Sequence, residues 1–373
     1  MRVLITGGGT GGHVNPALAI AEIIKINQPD SEIAFVGTKR GIENTLVPKA
    51  GYKLHYVNIQ GISRSLSLSN LKTAYLVMTS PREARKIIKE FKPDIVIGTG
   101  GYVCWPVLKA AAAMKIPTVV HESNAIAGVA VRQLKNKVDI IMTNFATTAD
   151  NLSAKARVMR VGNPLNCGFG RYSKAEARKM LGIPDTVGQV ILSCGGSGGA
   201  HRINVEALKL MRDLVADRPD IMHFHACGRN DTEYAMATFK EYRLEGRDNI
   251  RFSEYIYDMP VVMAAADIVI CRAGAMTLSE IAVMKKAAVI IPLPSAADNH
   301  QYKNAKMLAD AGAAVLLEER DIGETTLTDT VRALVEDSAA RGKMETRIAD
   351  FATEDAGALI YREICELVNS RKK

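Results

Sequence analysis

The sequence lacks the features that mark metal-binding, disulfide-stapled and membrane-spanning chains. Its six cysteines lie at least 27 positions apart, so it has no Cys-x-x-Cys pair for zinc or for thiol redox chemistry. Its apolar runs are short: the run from Tyr102 to Leu108 ends at Lys109, far below the ~18 residues that a spanning helix needs. Val3 to Ile5 are too few for the core of a signal peptide. We therefore expect reduced thiols and a cytoplasmic protein.

The composition that remains is that of a globular protein. The 373 residues are 47% hydrophobic and 24% charged, which excludes a disordered or fibrous chain and allows about two or three domains. The net charge of +8 is unevenly divided, because residues 1–163 hold 21 basic and 10 acidic residues and the remainder holds 27 and 30. Unless it is an ordinary solvated surface, this basic half meets an anionic partner: nucleic acid, lipid headgroups or a phosphorylated substrate.

Short β-branched runs alternate with helix-length amphipathic segments along the whole chain. This alternation is typical of βαβ units, and it predicts two parallel sheets of about six strands each. The predicted strands are Arg2–Thr6, Glu32–Val36, Asp94–Ile97, Thr118–His121, Asp139–Thr143, Arg157–Val161, Gln189–Ser193, Ile221–Ala226, Asn249–Phe252, Asp267–Cys271, Ala288–Pro292 and Ala314–Leu317.

An internal repeat indicates two similar halves. Val3 to Gly12 matches Val190 to Gly199 at a constant offset of 187, about half the chain length. We therefore predict two Rossmann-like α/β domains, residues 1–163 and 164–341, with a cleft between them. Residues 342–373 are predicted as a C-terminal helix able to pack back on the first domain. Because ligands of such sheets bind at the carboxyl ends of the strands, we expect the active site in the cleft.

The first glycine-rich loop, Gly7 to Gly12, contains the G-x-G-x-x-G of dinucleotide-binding proteins. A nicotinamide enzyme usually carries an acidic residue at the end of the second strand, but Glu32 lies at the wrong end of this one. No G-x-x-x-x-G-K-[ST] occurs, which excludes a P-loop nucleotidase. Glycine-rich loops also let the amides of a helix N-terminus approach any anionic group closely, and both halves have such a loop.

The two loops differ in the residue that follows them. His13 follows the first loop, whereas Ala200 takes the equivalent place after the second. An imidazole at a helix start that faces a cleft can take a proton from a substrate hydroxyl. The alternative is a capping or core histidine.

A third loop-to-helix junction runs from Cys271 to Glu280. Its first amides can hold a diphosphate, and Glu280 can accept hydrogen bonds from both hydroxyls of a ribose, unless it is a solvated side chain on a capped helix. The later segment Pro292 to Gln301 offers amide and imidazole groups suited to sugar hydroxyls.

Two polar loops follow strands of the first half. Gly98 to Tyr102 and His121 to Gly128 are expected to lie at the same sheet edge as His13, where they would form an acceptor pocket. Glu122 is a second candidate base, or else a structural carboxylate that orients a neighbour.

The segment from Ser63 to Lys92 is basic and amphipathic, and Pro81 is expected to divide it into two helices. An apolar stripe beside the basic residues from Arg64 to Lys89 fits an anionic membrane surface, although the same stripe is equally typical of a protein core. Nucleic acid is not predicted as a partner, because no recognised reader motif accompanies the charge.

Taken together, these motifs resemble the MurG family of glycosyltransferases along nearly the whole chain. Those peripheral membrane enzymes add N-acetylglucosamine (GlcNAc) to undecaprenyl-diphosphoryl-MurNAc-pentapeptide (lipid I), which gives lipid II for peptidoglycan. The resemblance rests on Gly8–His13, Gly100–Tyr102, His121–Asn124, Val161–Pro164, Gly195–Ser197 and Gly274–Glu280.

The resemblance implies a GT-B fold and direct, inverting attack of the MurNAc 4-hydroxyl on UDP-GlcNAc. It implies His13 as the base, with Glu122 and Tyr102 beside it. Of the implied donor contacts, Ile256 meets the uracil through its backbone, Glu280 meets the ribose, and the helix start from Ala275 to Leu278 meets the diphosphate. The implied substrate-binding residues are Thr10, Gly11, Gly12, Asn124, Asn166, Ser197, Ile256, Ala275, Met276, Thr277, Leu278, Ser279, Glu280 and Gln301.

Three departures from the family pattern put individual contacts in doubt. Asn166 stands where the family usually carries Arg, Gly198 replaces a common Gln, and Ser123 replaces another. The sequence also has no Asp-x-Asp, the carboxylate pair with which many glycosyltransferases hold a divalent ion. We therefore expect no metal and no cofactor, with helix dipoles and amides meeting the charge of the leaving group.

The implied partners are UDP-GlcNAc, lipid I and the anionic inner membrane surface, with proteins of cell-wall synthesis as further candidates. The implied location is the cytoplasmic face of the cell membrane. The alternatives are another UDP-sugar GT-B enzyme (a glycolipid synthase or a UDP-GlcNAc 2-epimerase), a nicotinamide-dependent oxidoreductase, or an inert membrane scaffold.

Overall fold

The computed structural model describes residues 1–61, 69–150, 152–166, 168–353 and 355–372. They form two compact units. The N-terminal unit contains Met1–Leu165 and Thr353–Lys373, and the C-terminal unit contains Asn166–Ala352.

In the N-terminal unit, the described residues form a seven-stranded parallel sheet of order β3-β2-β1-β4-β5-β6-β7. Its strands are β1 (Arg2–Thr6), β2 (Glu32–Gly37), β3 (Lys53–Tyr56), β4 (Ile95–Gly98), β5 (Thr118–Glu122), β6 (Ile140–Thr143) and β7 (Arg157–Arg160). Its helices are α1 (Gly11–Asn27), α2 (Glu43–Lys49), α3 (Ser69–Phe91), α4 (Cys104–Ala113), α5 (Val129–Leu134), α6 (Ala146–Asp150) and, from the end of the chain, α15 (Ala356–Lys372).

In the C-terminal unit, the described residues form a six-stranded parallel sheet of order β10-β9-β8-β11-β12-β13. Its strands are β8 (Gln189–Cys194), β9 (Ile221–Ala226), β10 (Ile250–Ser253), β11 (Ile268–Cys271), β12 (Ala287–Ile290) and β13 (Val315–Leu316). Its α-helices are α7 (Lys174–Met180), α8 (His201–Leu210), α9 (Thr232–Glu241), α10 (Met259–Ala265), α11 (Ala275–Val283), α12 (His300–Asp310), α13 (Thr326–Glu336) and α14 (Ser338–Ala349).

Both faces of the first sheet are buried, as expected for a parallel sheet covered by helices. In β1, Val3 and Ile5 join the core formed with α1 and α15, and Leu4 joins the core formed with α3 and α4. The register sets Thr6 between Val36 and Gly98, so the loops that follow β1, β2 and β4 leave the same edge of the sheet. This architecture confirms the predicted GT-B class of two Rossmann-like parallel-sheet domains.

The strand predictions agree with the structure to within about one or two residues, with one omission. The edge strand β3 was not predicted, because its four residues Lys53–Tyr56 have no buried apolar alternation. The segment from Gly342 to Val368 forms two helices rather than one. The first, α14, lies in the C-terminal unit, and α15 packs through Ile360 and Ile364 in the core of the N-terminal unit.

Pro81 does not divide its segment into two helices, since α3 is continuous through it. A proline inside a helix removes one backbone hydrogen bond. Here Ala84, Ile88 and Phe91 on the following turns are buried in the core, and this packing stabilises the helix beyond the proline. Across the described parts of the chain, no helix has both the length and the hydropathy of a membrane span.

Candidate active site

The first glycine-rich loop joins β1 to α1 in a tight turn. Gly9 has φ of +87°, a left-handed conformation that glycine adopts without strain. A Cβ built on Gly7 would lie 2.1 Å from Thr99 Oγ1, so the loop after β4 approaches the backbone directly. Thr10 precedes the first turn of α1, and its carbonyl accepts hydrogen bonds from the N–H groups of His13 and Val14.

His13 is half-buried between this loop and the loop after β4. Its Nδ1 lies 3.2 Å from the carbonyl oxygen of Gly8 and 3.3 Å from Thr10 Oγ1. Gly100 packs on the opposite edge of the ring, since a Cβ built there would lie 2.5 Å from His13 Cδ2 and 3.0 Å from Nε2. The imidazole is therefore held by backbone on two sides.

Sequence reasoning missed Glu43, which lies beneath the first glycine-rich loop. This residue is fully buried at the first position of α2. Its Oε2 accepts a hydrogen bond of 3.0 Å from Gly9 N–H, and its Oε1 accepts bonds of 3.0 and 2.9 Å from the N–H and hydroxyl of Thr38. The available signal was an acidic residue just after β2, close in sequence to Gly37 and Gly41.

Tyr102 also lies against the first loop. A Cβ built on Gly9 would lie 3.2 Å from Tyr102 Cε1, and one built on Gly61 would lie 3.7 Å from its Cδ1. The structure thus brings His13 and Tyr102 together, as predicted for the glycine-rich loop and the polar loop that follows β4.

Glu122 holds the loop that follows β5. The residue is buried, and its Oε1 accepts hydrogen bonds of 3.0 and 3.1 Å from the backbone N–H and the side-chain amide of Asn124. Its Oε2 accepts a 2.7 Å bond from Gly128 N–H. These contacts are those of a carboxylate that shapes its own loop, and they also fix Asn124, a predicted substrate contact.

A cavity of about 840 Å³ lies in the C-terminal unit at the carboxyl ends of β8, β11 and β12. It lies where the N-termini of α8 and α11 meet, so two helix dipoles favour negative charge there. Two arginines and a histidine also line it. The lining residues are Cys194, Gly195, Gly196, Gly199, Ala200, His201, Arg202, Cys271, Arg272, Gly274, Thr277, Leu293, Pro294, Ser295, Gln301 and Glu319.

The start of α11 forms one wall of this cavity. Leu278 N–H makes the first intrahelical bond, to the carbonyl of Gly274 at 3.0 Å, so the amides from Ala275 to Thr277 precede that bond. The side chain of Leu278 is buried in the core, which leaves it no direct contact with the cavity. Only Thr277 of the predicted residues in this turn lines the cavity.

Glu280 lies one turn farther into α11, close enough for its charge to act on Cys194 and Cys271 of the cavity lining. Burial raises the pKa of its carboxyl to about 7. Burial is also the main cause that raises the pKa of the Cys194 thiol to about 11, and the Glu280 charge adds to it. The same two effects contribute to the raised pKa of Cys271. The two thiols of the cavity lining are therefore protonated at neutral pH, and Glu280 beside them is an acceptor that titrates near pH 7.

Arg272 links the walls of the cavity. Its guanidinium donates to the carbonyls of Ile291 and Pro292 at 3.1 Å and pairs with Glu319 at 2.5 Å. The next residue, Leu293, donates its N–H to Gln301 Oε1 at 2.9 Å. Gln301, a predicted sugar contact, is thus held in place on the cavity wall.

Several predicted donor contacts lie outside the set of residues that line the cavity. Ser197 is exposed within the second glycine-rich loop, and Ile256 is half-buried against the core. Asn166 is exposed, and its Oδ1 accepts a 2.8 Å bond from Gly168 N–H, which makes it a turn residue here. The other predicted residues absent from the lining are Ala275, Met276, Leu278, Ser279 and Glu280 of α11, and Thr10, Gly11, Gly12 and Asn124 of the N-terminal unit.

The basic segment is described in part. Arg64 lies outside the described residues, and so does the rest of 62–68. On α3, Tyr75 and Met78 are exposed at 66% and 75%. Arg82 and Arg85 are exposed on the following turns, as are Lys86 and Lys89. Among the residues that the structure describes, no group of three or more His, Cys, Asp or Glu side chains could hold a metal ion.

Two family models match the chain: the glycosyltransferase family 28 N-terminal domain over residues 3–143, and the family 28 C-terminal domain over residues 190–359. A Thermoanaerobacter sp. protein named UDP-N-acetylglucosamine–N-acetylmuramyl-(pentapeptide) pyrophosphoryl-undecaprenol N-acetylglucosamine transferase is 39% identical over 364 residues, 98% of this chain and 99% of its own. A Leuconostoc citreum protein of the same name is 37% identical over 372 residues, with 100% of each chain covered.

Solved structures are similar over the same length. The crystal structure of MurG from Acinetobacter baumannii has a TM-score of 0.77 at 29% identity, covering 98% of this chain and 99% of that one. UDP-GlcNAc 2-epimerase from Neisseria meningitidis, solved with UDP-GlcNAc, has a TM-score of 0.65 at 15% identity, covering 98% and 100%. The second likeness shows a shared fold alone.

Proposed function

This chain belongs to glycosyltransferase family 28, and from that premise we propose that it transfers GlcNAc from UDP-GlcNAc to the MurNAc 4-hydroxyl of lipid I. The product is lipid II, the precursor of peptidoglycan, on which cell shape and division depend. Relatives that carry the name of this transferase are 35–39% identical over 95% or more of the chain, and they support the reaction and its acceptor.

The observation that carries the donor assignment is the cavity of the C-terminal unit. Two helix N-termini and two arginines border it, a setting suited to the diphosphate of a nucleotide sugar. In this proposal the amides from Ala275 to Thr277 bind the diphosphate, Glu280 binds the ribose and Gln301 binds the sugar. Ile256 contacts the uracil through its backbone. Ser197 and Asn166 contact UDP-GlcNAc from the loops in which they lie.

We assign the general base to His13. Its Nε2 takes the proton of the acceptor hydroxyl while the hydroxyl oxygen attacks the anomeric carbon of GlcNAc. The bond from that carbon to the diphosphate oxygen breaks, UDP leaves with the bonding electrons, and attack from the opposite face inverts the configuration. The helix dipoles of the donor cavity stabilise the charge that develops on UDP.

The remaining residues of the N-terminal site have supporting roles in this proposal. Thr10, Gly11 and Gly12 supply the helix start next to His13, and Tyr102 borders the acceptor. Glu122 acts as a positioning residue for Asn124, because its two carboxylate oxygens already accept three hydrogen bonds from its own loop.

We also propose that the N-terminal unit docks on the anionic cytoplasmic face of the cell membrane, where a lipid acceptor resides. Exposed Tyr75 and Met78 on α3, followed by four exposed basic residues, support this docking. Binding to vesicles that contain anionic lipid should weaken when Arg82, Arg85, Lys86 and Lys89 are neutralised together. Unchanged binding would refute the docking surface.

The reaction is tested with purified protein, UDP-GlcNAc and a short-chain lipid I analogue. We expect UDP release only when the analogue is present, with a product heavier by one GlcNAc. Isomerised UDP sugar, or UDP release without acceptor, would instead place the chain with the epimerases, and no reaction would reopen the glycolipid synthase and scaffold alternatives.

A further inference from the structure

The peptide group between Gly8 and Gly9 connects Glu43 to His13. Its N–H, from Gly9, donates to Glu43 Oε2 at 3.0 Å, and its carbonyl, from Gly8, lies 3.2 Å from His13 Nδ1. In a trans peptide these two groups point in opposite directions, so one peptide contacts the carboxylate on one side and the imidazole on the other. We infer that Glu43 is a positioning residue for His13, acting through this peptide; the inference rests on the proposed transferase function.

The geometry determines the tautomer of His13. A carbonyl oxygen can only accept, so the bond to Gly8 requires the proton on Nδ1. Thr10 Oγ1, at 3.3 Å, is a second acceptor for the same N–H. In the neutral ring, Nε2 then carries the lone pair, as a general base requires.

Glu43 fixes the orientation of the peptide. If the peptide were reversed, the Gly8 carbonyl would point at a buried carboxylate oxygen and lose the bond to His13. The carboxylate itself has little room to move, because Thr38 donates twice to its other oxygen. Cβ atoms built on Gly8, Gly37 and Gly41 would lie 2.7, 2.6 and 1.9 Å from Glu43 atoms, so backbone surrounds it closely.

This arrangement resembles a carboxylate–histidine pair with an amide inserted between its members. A negative charge beside the N–H polarises the peptide and strengthens the acceptor that His13 uses, because hydrogen bonds in a chain reinforce one another. Groups that orient a metal-ligating histidine contribute about 10- to 100-fold to metal affinity or activity, and we take the same range for the group that orients His13.

The test is Glu43→Gln, alone and combined with His13→Ala. Glutamine has one acceptor oxygen, whereas Thr38 N–H and Gly9 N–H use different oxygens of Glu43, so one of these donors must face an NH₂ group. We expect kcat for lipid I glycosylation to fall about 10- to 100-fold, with KM for UDP-GlcNAc within about threefold. In the His13→Ala background the same change should have almost no further effect, because the residue acts through His13.

Glu32→Gln is the matched control. Glu32 is a half-exposed carboxylate of the same unit that pairs with Arg2 at the start of β2, and its replacement should leave kcat unchanged. An equal loss of kcat from Glu43→Gln in both backgrounds, or a kcat within twofold of wild type, would overturn the inference.

A second readout does not depend on activity. Long-range ¹⁵N NMR of the labelled wild-type protein, with the His13 signal assigned from His13→Ala, reports which ring nitrogen carries the proton. We expect the proton on Nδ1 of the neutral ring, and a proton on Nε2 would overturn the inference. Wild-type protein with an Nδ1 proton but no glycosylation would instead count against the proposed function alone.

Discussion

The two glycine-rich loops of this protein share a left-handed glycine but differ in what lies beside it. Gly9 and Gly196 occupy the same place in the internal repeat, with φ of +87° and +89°. In the N-terminal unit, the chain's own carboxylate, Glu43, bonds to the loop from beneath. In the C-terminal unit, Gly196 lines an open cavity of about 840 Å³, and a Cβ built on it would meet nothing within 4 Å.

The difference teaches what a glycine motif specifies. Glycines allow the turn and the close approach of an anion. Whether that anion comes from a ligand or from the protein depends on the side chain that lies beside the loop. We therefore expect changes near the first loop to affect turnover, and changes near the second to affect donor binding.

The largest effect is expected for His13→Ala. Loss of a general base should lower kcat by about 10²- to 10⁴-fold, while the affinity for UDP-GlcNAc, measured by calorimetry, stays within about threefold. His55→Gln, on β3 of the same unit, serves as the control. Wild-type turnover in His13→Ala would show that the base lies elsewhere.

Glu280→Ala should have the opposite signature. Losing a charged acceptor for the two ribose hydroxyls costs about 1.5–3 kcal/mol, so KM for UDP-GlcNAc should rise about 10- to 100-fold with little change in kcat. Initial rates over a range of donor concentrations measure both constants. A fall in kcat at unchanged KM would contradict the assignment of donor binding to the C-terminal unit.

The pH dependence of donor binding sharpens the same assignment. Burial raises the pKa of Glu280 to about 7, so the carboxylate is ionised above that pH and protonated below it. Because the ionised form is the better acceptor, affinity for UDP-GlcNAc should fall roughly five- to tenfold between about pH 7.5 and 6. Glu280→Gln should flatten this profile, and an unchanged profile in that variant would assign the titration to another group.

The smallest expected effect is a difference in stability between an alanine in the first glycine-rich loop and an alanine in the second. A Cβ at position 8 would lie 2.7 Å from the Glu43 carboxyl, which three hydrogen bonds hold, so Gly8→Ala should lower the free energy of unfolding by about 1–3 kcal/mol. An alanine Cβ at position 196 would meet no atom within 4 Å, so Gly196→Ala should lower the free energy of unfolding only by the strain of a left-handed backbone, about 1 kcal/mol. Urea unfolding of both variants measures the difference. Equal losses of stability would argue against close packing of Glu43 on the first loop.

Much of the fold could be predicted from the sequence, because local patterns encode it. The β-branched runs and glycine punctuation located the strands of both sheets. The prediction failed where packing overrides the local signal: Pro81 lies inside a continuous helix because the turns after it are buried, and β3 is a short edge strand without an apolar pattern.

The candidate site was predictable only in part. His13, Tyr102 and the start of α11 follow strand ends, where the rules of parallel sheets place ligands. The buried environment of Glu122 and the cavity contacts of Arg272 were not evident, because each depends on partners that the fold brings together. Asn166 shows the opposite case. The family resemblance marks it as a substrate contact, whereas in the structure its side chain accepts a hydrogen bond from Gly168 N–H in its own turn.

The sequence by itself determined two parallel α/β domains and two glycine-rich turns at equivalent strand ends, since these follow from the hydrophobic period and from the conformational freedom of glycine. Only the tertiary structure decided that Glu43 bonds to the first turn and that the second turn borders a cavity. The physical reason is distance along the chain: Glu43 is separated from Gly9 by a strand and a helix, and only the pairing of β2 with β1 brings its carboxylate to that loop.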